Sequence, residues 1–245
     1  MHQDIDPALE GWEFKLGSVQ SRLIEARDGR QVLQLRQDLG IFQLETAGRP
    51  DGARPHGFAT YFEHLRHQAR LAERGGQTFV LSEEQCGEAD RELFQFYHRR
   101  ISWLALRNYA RAVADAEHTL ALMDFVKEHS PDEEYTLAHE QYRGLVLFHR
   151  TQAAAAALQE KNDAEGAVDA IREGLTRLRD FFVAFDAEEQ MEENAMVQQL
   201  RKMERSLRKR HSIDATLQEQ LDEAVAKEQY EVAAKLRDEL RRKRS

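Results

Sequence analysis

Two periodicities divide the chain. Between residues 19 and 47 apolar and polar positions alternate, the period-2 pattern of strands with one buried face. Leu33 and Leu35 share one strand face, and Phe42 and Leu44 share another. Asp28-Gly29 carries a two-residue hairpin signal, in which both turn positions need positive φ. Gly40 marks a second turn. The pattern predicts a small antiparallel meander, with Trp12 and Phe14 packing on it. The stretch "GRPDGARPHG", residues 48–57, is too rich in glycine and proline for regular structure and predicts a junction loop.

From residue 58 the period becomes helical. Residues 58–74 read as one helix stopped by Gly75-Gly76. Ser82, with Gln85 three residues on, reads as the N-cap of the next helix. Phe94, Tyr97, Ile101 and Leu104 recur on one face. Residues 108–123 then align with residues 163–178, 55 positions later. Ala112-Val113 matches Ala167-Val168, and Leu120 matches Leu175. A long helix precedes each copy, over residues 83–107 and 133–161. Met196, Leu200, Met203 and Leu207 lie at a/d spacing among charges, which predicts a long, mostly exposed helix over 186–211.

Tyr109, Ala112, Thr119 and Leu120 resemble the second half of a tetratricopeptide repeat, and Ala164, Ala167, Gly174 and Leu175 form a looser copy. The offset of 55 departs from that family's period of about 34. An ordinary helical bundle with small residues at its crossings accounts for the same spacing.

Charge adds a second division. The net charge is −9. Residues 201–245 hold 13 Lys/Arg and 9 Asp/Glu, a local charge of +4, which leaves −13 on the remaining 200 residues. An acidic body disfavours nucleic acid and acidic membranes, and a modest basic tail touches either only weakly. One cysteine, Cys86, excludes a disulfide framework or a cysteine zinc site within one chain. "MHQDIDPALEGWEF" does not read as a signal peptide, and the run "AAAAAL" is too short to span a bilayer. A cytoplasmic protein with no membrane contact is expected.

The chain closes on two amphipathic stripes that divide at Glu228-Gln229. Leu217, Leu221, Ala224 and Val225 form one; Val232, Ala233, Leu236 and Leu240 form the other, with Tyr230 at the turn. Helices joined so tightly fold back antiparallel, and neither is stable alone. Ala233 and Ala234 let two backbones approach. This segment resembles the UVR (UvrB/UvrC) motif in Leu217, Leu221, Ala224, Tyr230-Glu231, Ala233-Ala234 and Leu236-Arg237-Asp238. The resemblance implies a helical hairpin that docks another hairpin of its kind, as in nucleotide-excision repair, in arginine-kinase activators and in adaptors of Clp proteases. It implies no catalytic residue. The phosphate-cradling loop of a repair helicase and the paired Cys-x-x-Cys sites of those activators have no counterpart in this sequence. The stretch "LGIFQLETAGRPDGARPHG" is similar to what precedes the motif in a group of bacterial proteins named only for it, and brings no activity with it.

Other candidate chemistry is thinner. His56, His64 and His67 lie close together without an evident acidic ligand, so scattered polar histidines are the expectation rather than a metal site. Carboxylates around Cys86 argue against a reactive thiol. Arg49, Asp51, Arg54 and His56 could bind an anion, but turn chemistry that docks the meander on the helices already explains them.

The fold expected is therefore mainly α: a meander and junction over 1–57, a tetratricopeptide-like helical bundle over 58–185, a connecting helix over 186–211, and a UVR hairpin over 212–245. The function expected is a non-enzymatic adaptor or scaffold, without cofactor, metal or catalytic residue. It would dock a protein partner or a second copy through Leu221, Val225, Tyr230, Ala233, Ala234, Leu236, Arg237 and Leu240. An accessory DNA-repair factor contacting nucleic acid through the basic terminal region is the alternative. An enzyme with its site at the Arg49 to His56 loop is a third reading.

Overall fold

The computed structural model describes residues 4–213, 220–221, 224–225 and 227–244, with side chains to Glu239. Leu217, the first position of the hairpin stripe, lies outside them. Two compact units emerge, Met1–Arg201 and Lys202–Ser245.

In the first unit a short helix α1 (Asp6–Leu9) precedes strands β1 (Ser21–Glu25), β2 (Gln31–Gln37) and β3 (Gly40–Glu45), an antiparallel meander in chain order. Register places Leu33 opposite Leu44 and Leu35 opposite Phe42, so the two apolar pairs lie on one sheet face. Leu33 and Leu44 pack with Trp103, Ala112 and Ala153 of the helices. The N-terminal segment covers β2's opposite side: the Arg22 guanidinium lies 4.0 Å over the Trp12 ring, and Arg36 Nε donates to the Trp12 carbonyl. The first turn differs from expectation. Between β1 and β2 only Gly29 takes positive φ, because the loop widens to an Ala26–Arg30 closure and Asp28 accepts the Arg30 N–H. Gly40 closes the second turn as expected, pairing with Gln37 across Asp38-Leu39 as the first residue of β3.

Helices α2 (Tyr61–Arg74), α3 (Glu83–Ala105), α4 (Tyr109–His129), α5 (Glu133–Glu140), α6 (Arg143–Glu160), α7 (Ala164–Ala184) and α8 (Glu188–Met191) follow. The Ser82–Gln85 capping box is complete. Packing runs α3 on α4, α4 on α6 and α6 on α7. The 55-residue offset is physical: α4 and α7 begin and end 55 positions apart, as do the ends of α3 and α6. Arg107 and Asn162, also 55 apart, adopt left-handed φ of 56° and 59° between the paired helices. At each, two backbone N–H groups return to the last turn of the helix just ended, Arg107 to Leu104 and Asn108 to Trp103, Asn162 to Gln159 and Asp163 to Leu158.

Two expected helices are broken. Residues 133–161 split at Gln141-Tyr142, because α5 is tied back onto α3: Asp90 accepts from the Tyr135 hydroxyl at 2.8 Å and pairs with His139 Nε2 at 2.6 Å. The helix expected over 186–211 divides into α8 and α9 (Ala195–His211), where Asn194 Oδ1 accepts the N–H groups of Met196 and Val197. That helix is mostly exposed, as its charge suggests, with Val197, Leu200 and Leu207 buried.

The α3 face read from Phe94, Tyr97, Ile101 and Leu104 is its shallower one, and Phe94 is exposed. The deeper face carries Ala89, Glu92, Phe96, Arg99 and Trp103. Its charges are buried because they are paired. Arg99 grips Asp115 through Nε and Nη2, at 2.7 Å for the latter, and donates Nη1 to the carbonyls of Glu45 and Gly48. Glu92 is 0% exposed and accepts the N–H groups of Tyr61 and Phe62, the first residues of α2, at 2.6 and 3.0 Å. A carboxylate there meets orphan donors and the positive end of the helix dipole together.

Candidate docking hairpin

In the second unit, Gln220, Leu221, Ala224 and Val225 are helical, and α10 (Tyr230–Arg244) follows a tight turn. The turn has the geometry seen between the paired helices of the first unit. Glu228 is left-handed at φ 56°, its N–H donates to Val225 O, and the Gln229 N–H donates to Ala224 O at 2.7 Å. The Ala233 N–H then closes on Gln229 O, starting the second helix. These backbone bonds close the reversal in the manner of an αL helix end.

Those faces separate cleanly. Ala224 and Ala233 are buried, while Leu221, Ala234 and Leu236 are half-buried. Of the two adjacent alanines, Ala233 is the buried one, as Ala224 is before the turn, and Ala234 is half-buried. Val225, Tyr230 and Val232 are 52%, 68% and 47% exposed, an apolar set around the turn. Arg237 is exposed and pairs with Asp238 at 3.5 Å. The Leu240 side chain lies outside the described residues.

The model of the family described as UVR: UvrB/uvrC motif matches residues 215–245. The chain carries a UvrB/uvrC motif. Its Ala-Ala-x-Leu-Arg-Asp stretch opens the second helix of the hairpin described above. No curated protein and no solved structure matches the chain. Among the described residues, no helix is long and apolar enough to cross a membrane.

The remaining candidates all belong to the first unit. Arg49 is buried and engages Glu88 at 2.9 Å, Asp51 at 3.3 Å and Glu92 at 3.8 Å. The junction loop thus fastens the sheet to α3, although it also borders a cavity of about 610 Å³ with Arg30 and Arg54. His56 stacks on His64 with ring centroids 3.9 Å apart. Burial, then the charges of His56 and His67, lower the His64 pKa. Burial, more than the neighbouring carboxylates, raises the Cys86 thiol, so it is a poor nucleophile.

One feature lies outside the motifs named above. A cavity of about 590 Å³ opens between α3, α4, α5 and α6, with Arg100 on its wall. Two consecutive arginines, Arg99 and Arg100, inside an otherwise amphipathic helix were the available clue, since a helix seldom buries both without a task for each.

Proposed function

We propose that this protein is a non-enzymatic adaptor, with the UVR motif as its docking element and the paired-helix body as scaffold. The exposed apolar set at the hairpin turn, Val225, Tyr230 and Val232, supports this reading most directly. A short hairpin buries little on its own account, so apolar side chains gathered at its tip gain from covering by a further helical surface. A two-helix surface of the same kind, on a partner or on a second copy, offers the matching small and apolar stripe. The tetratricopeptide-like pairing of α3 with α4 and α6 with α7 suits a rigid platform for such contacts.

The test is a pull-down and a sedimentation measurement on the full chain, against a variant with Val225→Asp, Tyr230→Asp and Val232→Asp. Loss of partners or of self-association in the variant supports docking. Unchanged association sinks it.

The last turn of α9 gathers Arg208, Lys209, Arg210 and His211, which favours weak nucleic-acid contact as the second reading. Titration with single-stranded and duplex DNA at low salt separates the two. A flat response removes the nucleic-acid reading and leaves the adaptor standing.

A further inference from the structure

The cavity between α3, α4, α5 and α6 has a mostly apolar wall, including Leu93, Tyr97, Met123, Leu145 and Val146. Arg100 lines it at 1% exposure. A guanidinium carries five N–H donors in a planar fork. Arg100 spends one on Thr119 Oγ1 at 3.0 Å and one, loosely, on His149 Nδ1 at 3.4 Å. The other three meet no acceptor among the described residues. Both acceptors are neutral: burial and Arg100 itself push the His149 pKa down to about 4. Asp115 offsets part of the charge from a distance, but its two oxygens are held by Arg99. Burial lowers the Arg100 pKa to about 10, so the group is charged at neutral pH all the same. A buried cation without a hydrogen-bonded anion is costly, and it persists where an anion is supplied from elsewhere.

We propose that this cavity binds a small organic carboxylate, its charged end on Arg100 and its apolar body along the α3–α6 wall. The single guanidinium matches one negative charge and the two oxygens of a carboxylate. A phosphate dianion would stay half-neutralised in an apolar cavity. Asp90, the carboxylate on the wall, is already engaged by Tyr135 and His139, is half-exposed at the side chain, and stands about 15 Å along α3 from Arg100 at the helical rise per residue. The cavity, at about 590 Å³, lies in the range of pockets for small ligands.

The test is isothermal titration of the full chain with decanoate, decan-1-ol and decyl phosphate. Decanoate should bind at one site, at least about tenfold more tightly than the alcohol, the increment of one charge-assisted pair. Arg100→Gln should bring decanoate down to the alcohol's affinity. Ala138→Trp fills the cavity from an exposed position on α5; it should abolish binding of both while the thermal midpoint stays put. That second variant covers the case in which Arg100→Gln fails to fold. Absence of decanoate binding, equal affinity for acid and alcohol, binding that survives Ala138→Trp, or a preference for decyl phosphate would each overturn the proposal.

Discussion

Glu92 shows how one residue joins three elements. Its carboxylate accepts two backbone N–H groups at the start of α2, pairs with His118 Nε2 at 3.0 Å and faces Arg49 at 3.8 Å. Removing it strands two helix N–H donors, while Arg49 keeps Glu88 and Asp51, so Glu92→Ala should cost about 2–5 kcal/mol, the penalty for two buried donors left unsatisfied. Urea unfolding measures this; a loss below about 1 kcal/mol would mean that water replaces the carboxylate at little cost. His149 makes a second residue-scale prediction. Its pKa is about 4 in the folded chain against an ordinary 6.5. The unfolded chain takes up a proton as pH falls through 6.5, while the native chain does not until about 4. Stability from keeping His149 neutral is therefore full above that window and drains away as pH falls across it. His149→Gln should flatten this limb relative to the wild type in denaturation series from pH 7 to 4, and NMR titration should place the His149 midpoint near 4. Neither role was legible beforehand. Glu92 and His149 look like surface residues of an amphipathic helix, and only the neighbours α2 and Arg100 turn them into buried partners.

At the scale of elements, helix crossings depend on small side chains. A Cβ at Gly174 of α7 would overlap Thr151 Oγ1 and Cγ2 of α6 and lie 2.6 Å from Thr151 Cβ. In an open helix Gly→Ala stabilises by about 1 kcal/mol. Here the backbone-attached Cβ of Thr151 cannot swing away, so Gly174→Ala should instead destabilise by about 1–3 kcal/mol, as overpacking does. Thermal unfolding decides the sign; a raised midpoint would show that α6 and α7 are free to separate. The 55-residue repeat that contains Gly174 was legible, because Ala112 and Ala167 mark the same crossing position in each copy and both are fully buried. The break between α5 and α6 was not. Its cause is the tie from Asp90 to Tyr135 and His139, a contact some 45 residues long in sequence that no local pattern announces. The Asp28-Gly29 turn was half legible: glycine supplied the positive φ, and the Arg30 N–H on Asp28 chose a wider loop.

For the whole molecule, the division into Met1–Arg201 and Lys202–Ser245 lets the proposed docking role be tested apart from the stability of the body. The triple hairpin variant should lose binding with no change in the main unfolding transition. Tyr230, the most exposed apolar aromatic at the tip, should alone account for about 2 kcal/mol, roughly thirtyfold in affinity, if it anchors the contact. A variant that lowers the unfolding midpoint instead would assign Tyr230 to internal packing. By itself the sequence determined what is local and periodic: the meander, the capping box at Ser82, the repeat, and the hairpin with its Ala-Ala-x-Leu-Arg-Asp core. These follow from a residue's own backbone preferences and from neighbours three or four positions away. The tertiary structure alone decided which charges are buried, where helices break, and that Arg100 faces a cavity while Arg99 closes on Asp115. Both are arginines on the same helix with the same local propensity. What separates them is the partner that folding brings to each, and a buried charge is defined by its partner.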